Sequence, residues 1–282
     1  MVFPQVLVLG ASGRIGRVLR HCWPGSADLH WQTRRAQGED GTGQGWRIFD
    51  PLGDSAALVA AAQGVDAILC LAGAVPGRNN AMEDNMRLGE AAVRAGATTG
   101  AQVFLASSAA VYGGRPGLLP EEVPLLATTP YGVSKAEMEQ QAARLGVDLN
   151  VRVCALRIGN IAGLDAILGG WRPGFQLDVF GDNRTPRRSY IGAGILARVL
   201  ADLMPLQDLP SALNIAQPGA IEMGDLLQAA GLDYDHRPAP EGALPEVALD
   251  VSRLNALLPA DHQLPATDPA QMVAEWRALG LE

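Results

Sequence analysis

Runs of hydrophobic residues alternate with stretches of helical spacing over the first two thirds of the chain. Continuous apolar runs predict buried strands at residues 6–9, 67–71 and 103–106, and shorter strands are predicted at 29–33 and 46–49. The segments between them predict helices at about 14–23, 54–63 and 80–96. Strands that alternate with helices join through right-handed crossovers into a parallel sheet, so the pattern predicts an α/β fold. Its ligand crevice is expected beyond the carboxyl ends of the strands.

A glycine turn directly follows the first predicted strand. Residues 10–16 read GASGRIG and connect a strand to a helix, which is the context that a dinucleotide-binding turn requires. Gly10 permits the tight turn, Gly13 lets the backbone approach a pyrophosphate, and Gly16 lets helix and strand pack closely. The spacing departs from the commoner G-x-G-x-x-G, and a purely structural turn is the alternative. We therefore predict a Rossmann-type doubly wound parallel sheet, with Ser12, Arg14 and Ile15 also beside the cofactor.

Two arginines end the second predicted strand. Arg34 and Arg35 stand where a NAD-selective site offers a carboxylate to the ribose hydroxyls. Guanidinium groups suit the 2′-phosphate of NADP, which they recognise with two parallel hydrogen bonds. The alternative is a solvated turn that carries two arginines by chance. The sequence thus predicts NADP as the cofactor and keeps NAD open.

Further cofactor contacts are expected where the third and fourth strands end. Asp50 and Pro51 close the third strand, and Asp50 either faces the adenine or starts a turn. The fourth strand runs into Leu71, Ala72 and Gly73, small or apolar residues that let the backbone pass close to a cofactor. All of these positions fall on one rim of the predicted sheet.

A tyrosine and a lysine lie one turn apart at the start of a predicted helix. Tyr131 and Lys135 leave the same helix face, and Pro130 is well suited to the first helical position. A nearby ammonium favours the phenolate and lowers the pKa of a tyrosine, so the pair is able to exchange a proton with an alcohol or ketone. A half-buried tyrosine beside a solvated lysine is the structural alternative.

The last third of the chain predicts a smaller unit. A helix at about 194–204 and a strand at 213–216 are expected to rejoin the main sheet, and the part from Ile221 onward alternates prolines with short helical patterns. We predict a dinucleotide-binding domain over residues 1–165, completed by 193–217. Residues 166–192 and 218–282 are predicted to form a small C-terminal substrate-binding lobe.

Charge and cysteine usage exclude several classes of function. The net charge of −8 disfavours nucleic acid and anionic membranes as partners, because both need a cationic surface. The three cysteines form no C-x-x-C pair and the four histidines show no ligand spacing, so a reducing cytoplasm and no metal are expected. Neither a signal peptide nor a membrane span is expected. A small-molecule substrate is the predicted partner, and a homodimer is left open.

Several sequence blocks in the right order resemble one family. They are GASGRIG at 10–16, LAG at 71–73, SSAAVYG at 107–113, Y-x-x-x-K at 131–135, LRIGN at 156–160, FGD at 180–182 and RSYI at 188–191. Together they resemble the extended short-chain dehydrogenase/reductases, also called the NAD-dependent epimerase/dehydratase family, over residues 1 to about 217.

The resemblance implies roles for individual residues. Tyr131 would be the catalytic acid/base, Lys135 would lower its pKa and hold the nicotinamide ribose, and Ser108 would hydrogen-bond the reacting oxygen. Ile158 would lie against the nicotinamide. The implied substrate-binding residues are Asn160, Arg188 and, from an irregular helix motif, Asn85.

Departures from the family pattern narrow the range of expected reactions and substrates. Ala109 and Ala110 stand where the family's dehydratases carry an Asp-Glu pair, which argues against elimination. Only 16 residues separate Gly163 from Phe180, and a glycine-rich segment follows Ile191, so a bulky nucleotide-sugar is disfavoured. We predict an NAD(P)-dependent oxidoreductase that transfers hydride at a carbinol or carbonyl of a sugar-like or small hydroxy/oxo substrate. A redox-neutral sugar or nucleotide-sugar epimerase and a non-catalytic NADP(H)-binding regulator are the alternatives.

Overall fold

A seven-stranded parallel sheet forms the centre of the protein. The computed structural model describes residues 4–25, 28–35, 46–75 and 81–280. The strands of this sheet are β1 (Gln5–Leu9), β2 (Asp28–Thr33), β3 (Trp46–Ile48), β4 (Ala67–Cys70), β5 (Gln102–Ser108), β7 (Val153–Ile158) and β11 (Ala212–Ile215). Their order is β11-β7-β5-β4-β1-β2-β3, and every neighbouring pair is parallel. The order reverses beside β1, which confirms the Rossmann-type doubly wound sheet and the return of residues 213–216 to it.

Helices cover both faces of the sheet. Their bounds are α1 (Arg14–Cys22), α2 (Ser55–Ala61), α3 (Asp84–Thr99), α4 (Pro130–Asp148), α5 (Ala193–Leu203), α6 (Met223–Ala229), α7 (Ser252–Leu257) and α8 (Pro269–Ala278). One core cluster joins Val6 and Val8 to α1 and α5, and a second joins Leu7 and Leu9 to α2, α3 and α4. Because side chains of β1 alternate between the two clusters, its continuous apolar run is explained by burial on both faces.

Local capping sets where the helices begin. The Thr129 side chain accepts a hydrogen bond from the Gly132 amide at 3.1 Å, and Pro130 occupies the first helical position of α4. Asp54 caps α2 through the Ala57 amide at 2.8 Å. The third predicted helix begins four residues later than expected, at Asp84, and the predicted start at Asn80 lies outside the described residues.

A second sheet lies at the end of the molecule that carries the carboxyl ends of the central strands. It contains β6 (Leu118–Leu119), β10 (Arg187–Ile191), β12 (Ala220–Glu222) and β14 (Glu246–Leu249), and β8 (Asn160–Ile161) pairs with β10. A separate parallel pair is formed by β9 (Gln176–Val179) and β13 (Asp235–Pro238). The β8–β10 pairing sets Asn160 opposite Tyr190, which places a residue from each of two distant segments beside the crevice.

Candidate active site

The glycine turn is closed by contacts that exclude a side chain. Gly10 has a φ of +77°, and a Cβ at this residue would lie 2.6 Å from the Ala72 amide nitrogen. At Gly16 a Cβ would lie 2.2 Å from the Ala11 carbonyl oxygen, so α1 packs directly on the turn. Gln32, which sequence reasoning missed, accepts a hydrogen bond from the Gly10 amide at 2.9 Å. The turn therefore has a fixed shape with open backbone on one side.

The first of two adjoining cavities lies beside this turn, and we call it the glycine-turn cavity. Its lining includes Gly10, Ser12, Gly13, Gln32, Thr33, Arg34, Asp50, Pro51, Leu71, Ala72, Gly73 and Ala74. Arg34 is exposed at the strand end, whereas Arg35 does not belong to the described lining. Asp50 lines the cavity and also starts a turn, because its side chain accepts from the Leu52 amide at 3.1 Å.

The second cavity, which we call the tyrosine cavity, lies over the carboxyl ends of β5 and β7. Its lining includes Arg14, Ile15, Leu71, Gly73, Ala74, Ser108, Tyr131, Lys135, Ile158, Asn160, Leu164 and Asp165. Leu71, Gly73 and Ala74 line both cavities, so the two are continuous. Most of the residues singled out from the sequence thus come together along one crevice.

The side chains of Tyr131 and Ser108 both line this cavity, close enough to interact. Burial raises the pKa of Tyr131 above its usual value, against the opposing effects of the Ser108 hydroxyl and of the Arg14 charge. The expected lowering by Lys135 does not occur in the protein alone, because the lysine ammonium lies 5.9 Å from the ring centroid and burial dominates. Tyr131 is consequently a protonated phenol at neutral pH.

Lys135 is buried beneath the crevice. Its Nζ donates to the Ala106 carbonyl oxygen at 2.8 Å, and a Cβ on Gly73 would lie 3.1 Å from the same nitrogen. Burial lowers the pKa of Lys135 to about 8, while electrostatic interactions with Cys70 and Glu139 oppose this shift. The lysine therefore titrates close to physiological pH and has N–H groups beyond the one bonded to Ala106.

Asn85 braces the crevice and does not line it. Its side-chain oxygen accepts from the Ala74 amide at 3.0 Å, and its nitrogen donates to the Ala74 carbonyl at 3.2 Å and to the Ser134 hydroxyl at 2.9 Å. The amide has thus used both of its N–H donors. The structure places Asn85 between the loop after β4 and α4, away from the position expected for substrate contact.

Arg188 also lies apart from the two cavities as the described residues outline them. Its guanidinium donates to the Arg187 carbonyl at 2.7 Å and to the Leu244 carbonyl at 3.0 Å. Desolvation by burial lowers the pKa of Arg188 from its ordinary value. The side chain expected to grip a pyrophosphate is instead directed into the second sheet.

A polar cluster that sequence reasoning missed forms the far wall of the tyrosine cavity. Tyr190 donates to the Asp165 carboxylate at 2.7 Å and lies opposite Asn160 in the β8–β10 pair. Asp165 also accepts from the Leu168 amide at 3.1 Å, and burial raises its pKa. Asn160 was found through the family motif, and Tyr190 lies in the RSYI block without having been assigned a role, whereas Asp165, in the loop after β8, has no local signal.

A buried ion pair supports the floor of the site. Arg157 donates to the Glu139 carboxylate at 2.8 and 3.0 Å, and the Ser107 hydroxyl donates to the same carboxylate. Arg157 also donates to the Tyr112 hydroxyl at 2.9 Å. The network ties β5 and β7 to α4, which carries Tyr131 and Lys135.

Metal sites and membrane-spanning helices are both absent from the described part of the chain. No group of three or more histidine, cysteine or acidic side chains there has the arrangement of a metal site. None of the helices in those residues is long and apolar enough to cross a membrane.

Solved structures share this fold across the whole chain. A short-chain dehydrogenase/reductase superfamily protein from Agrobacterium tumefaciens with bound NAD has a TM-score of 0.75 at 18% identity, covering 98% of this chain and 97% of that one. UDP-N-acetylglucosamine 4-epimerase from Methanobrevibacter ruminantium M1 has a TM-score of 0.75 at 19% identity, covering 98% and 97%. The dTDP-glucose 4,6-dehydratase DesIV from Streptomyces venezuelae has a TM-score of 0.74 at 19% identity, covering 97% of each chain.

At these identities the structural likeness establishes the fold alone. No curated protein matches the sequence significantly. Residues 6–167, which contain the glycine turn, Ser108, Tyr131 and Lys135, match the NAD dependent epimerase/dehydratase family. The chain therefore belongs to this family of NAD-dependent enzymes.

Proposed function

We propose that the protein is an NAD(P)-dependent oxidoreductase that transfers hydride at a carbinol or carbonyl of a small sugar-like or hydroxy/oxo substrate. One observation carries the proposal: the Tyr131 and Ser108 side chains line the same cavity and interact there, and this cavity adjoins the glycine turn. A substrate oxygen near this pair would meet a phenol and a hydroxyl at the same time. Such a pair is suited to proton transfer coupled to hydride transfer.

The residues present fit an extended dinucleotide. The backbone at Gly10 and Gly13 lines the glycine-turn cavity at the start of α1, and this turn forms an open cradle for an anion. The cradle continues into the tyrosine cavity past Gly73. A bound nicotinamide cofactor would supply or accept the hydride. Ile158 would pack against its ring, and Lys135, beneath Gly73, would hold its ribose.

Tyr131 would act as the acid when a carbonyl is reduced. Its burial-raised pKa keeps the proton on the phenol at neutral pH, so the group is ready to donate to a developing alkoxide. Ser108, which lines the cavity beside Tyr131, would donate a hydrogen bond to the same reacting oxygen. In the oxidative direction Tyr131 would receive the hydroxyl proton, and a protonated Lys135 would stabilise the phenolate.

The contacts around the crevice support a small substrate. The Arg188 guanidinium lies outside both described cavity linings and donates to two backbone carbonyls, which argues against a pyrophosphate clamp in this arrangement. Within the described lining of the tyrosine cavity, the carboxylate of Asp165 is engaged by Tyr190 and by backbone amides. With Ala109 and Ala110 after Ser108, this arrangement lacks the general base that an elimination needs. We also propose that residues 166–192 and 218–282 supply further contacts to the substrate.

We further propose a preference for NADP. Arg34 lines the glycine-turn cavity, and the buried residues before it, Gln32 and Thr33, are uncharged. The strand end thus offers a guanidinium to a 2′-phosphate and no carboxylate to the ribose hydroxyls. Arg35 is not among the described lining residues of this cavity and is not assigned a contact.

A test of net redox chemistry separates the main alternatives. An oxidoreductase changes the absorbance at 340 nm far beyond one equivalent of enzyme when a substrate from a hydroxy/oxo panel is added with NADP⁺ or NADPH. A redox-neutral epimerase instead isomerises its substrate while the cofactor shows no net turnover, and that result would overturn the oxidoreductase proposal. A protein without any turnover would fit the non-catalytic regulator, which the family membership disfavours.

A further inference from the structure

The Arg14 side chain lies in the tyrosine cavity, although its position in the sequence is next to the pyrophosphate turn. It lines the cavity with Ser108, Tyr131 and Asn160, and its charge acts on the Tyr131 hydroxyl. The glycine-turn cavity, where Gly13 and Arg34 lie, does not include it among the described lining residues. Arg14 is therefore a cation directed at the reacting end of the crevice.

One hydrogen bond holds this guanidinium in place. Arg14 Nη1 donates to the Leu164 carbonyl at 2.6 Å, across the cavity mouth from α1. A guanidinium has five N–H donors in a planar fork, so most of them remain for a ligand. Among the described residues no carboxylate lies within ion-pair distance of Arg14. Its side chain is exposed at the cavity and its charge is unpaired there.

The other charged side chains that line the cavity do not neutralise the Arg14 guanidinium. Lys135 is buried beneath Gly73 and bonded to Ala106, and Asp165 is held by Tyr190 and by the Leu168 amide. On a chain with a net charge of −8, an anionic substrate needs a local cation. Arg14 supplies one within reach of the group that moves the proton.

We propose that Arg14 is a specificity-determining residue that binds a carboxylate on the substrate, so that the substrates are hydroxy or oxo acids. The proposal rests on the proposed oxidoreductase function, whose reacting oxygen lies at Tyr131 and Ser108. A carboxylate matches the planar fork of the guanidinium with two parallel hydrogen bonds. Binding there would orient the neighbouring carbinol toward the phenol.

Equilibrium binding to the NADPH complex tests the proposal without turnover. The probes are lactate, glycerate and gluconate, each compared with its primary amide, and the binding constants are measured by calorimetry at low ionic strength. We expect the wild type to bind at least one acid about tenfold more tightly than its amide. Arg14→Gln should lose this preference and Arg14→Lys should retain part of it.

Arg17→Gln is the matched control, because Arg17 lies one turn further along α1, is exposed and belongs to neither described cavity lining. It removes the same charge and should keep the preference for acids. The proposal fails if the wild type does not prefer any acid over its amide, or if the preference survives in Arg14→Gln. It also fails if Arg14→Gln weakens NADPH binding by the same factor, because Arg14 would then serve the cofactor.

Failure of the oxidoreductase proposal would look different. In that case the acid preference would persist in the binding measurement while no panel member changed the absorbance at 340 nm. The two proposals are therefore separated by readouts that do not depend on each other.

Discussion

Replacing Arg34 by alanine should discriminate between the two nicotinamide cofactors. Arg34 is exposed and lines the glycine-turn cavity at the end of β2, where a 2′-phosphate would lie. A hydrogen bond to a charged group contributes about 1.5–3 kcal/mol, and solvent exposure places this contact in the lower part of that range. We expect NADPH binding to weaken by about 10- to 30-fold and NADH binding to change by less than about twofold.

Arg35→Ala provides the matched control for this prediction. Arg35 is the next residue, is also exposed and lies outside the described lining of both cavities, so its loss removes the same charge from the same turn. Dissociation constants for NADPH and NADH would be measured by calorimetry with both variants and the wild type. The 2′-phosphate assignment is refuted if Arg34→Ala weakens both cofactors equally, or if Arg35→Ala shows the same selective loss. The selective effect should also shrink as ionic strength rises.

Two further predictions concern stability. Between pH 8 and 10.5 the folded protein binds fewer protons at Lys135 than the unfolded chain, so this lysine makes stability rise with pH, by roughly 3 kcal/mol over the whole window. Urea unfolding of the wild type and Lys135→Met at several pH values measures this contribution, and parallel pH dependences would contradict it. Glu139→Gln should cost about 3–5 kcal/mol in the free energy of unfolding, because it leaves the buried Arg157 charge without its partner. The control Glu137→Gln, at an exposed position of α4, should change the free energy of unfolding by less than about 0.5 kcal/mol. Equal losses in the two variants would disprove a stabilising role of the Arg157–Glu139 pair.

Local sequence signals predicted six of the seven central strands because each of these carries its own pattern, whereas β7 was not predicted. The run at residues 6–9 is apolar at every position since β1 is buried on both faces, and the glycine turn and Pro130 mark helix starts through backbone constraints. These signals also placed Ser108 at the end of a strand and Tyr131 at the start of a helix. Both residues line the tyrosine cavity, which agrees with that placement.

The wall of the tyrosine cavity could not be predicted in the same way. Tyr190 reaches Asn160 and Asp165 only because the two-residue strand β8 pairs with β10, and such short strands carry no periodicity. Arg188 matched a motif, but the carbonyl of Leu244 that binds it comes from a segment 56 residues away. Spacing along the chain does not reveal which way such a side chain turns.

The pKa of Tyr131 shows a second limit of sequence reasoning. The four-residue spacing placed Lys135 on the same helix face as Tyr131 and suggested that the lysine lowers the pKa of the tyrosine. Burial proved to be the larger effect, and it raises the pKa of Tyr131 while lowering that of Lys135 to about 8. Desolvation depends on everything that packs around a group, so it is known only once the fold is known.

The central claim is that the Tyr131 hydroxyl transfers the proton, and Tyr131→Phe tests it most directly because it removes that hydroxyl alone. Once a substrate is identified, turnover and cofactor affinity would be measured for this variant and for Tyr234→Phe, a half-buried tyrosine outside both described cavity linings. We predict that Tyr131→Phe lowers kcat by about 10²–10⁴-fold while cofactor affinity stays within about twofold, and that Tyr234→Phe behaves like the wild type. Turnover of Tyr131→Phe within about twofold of the wild type would contradict the account.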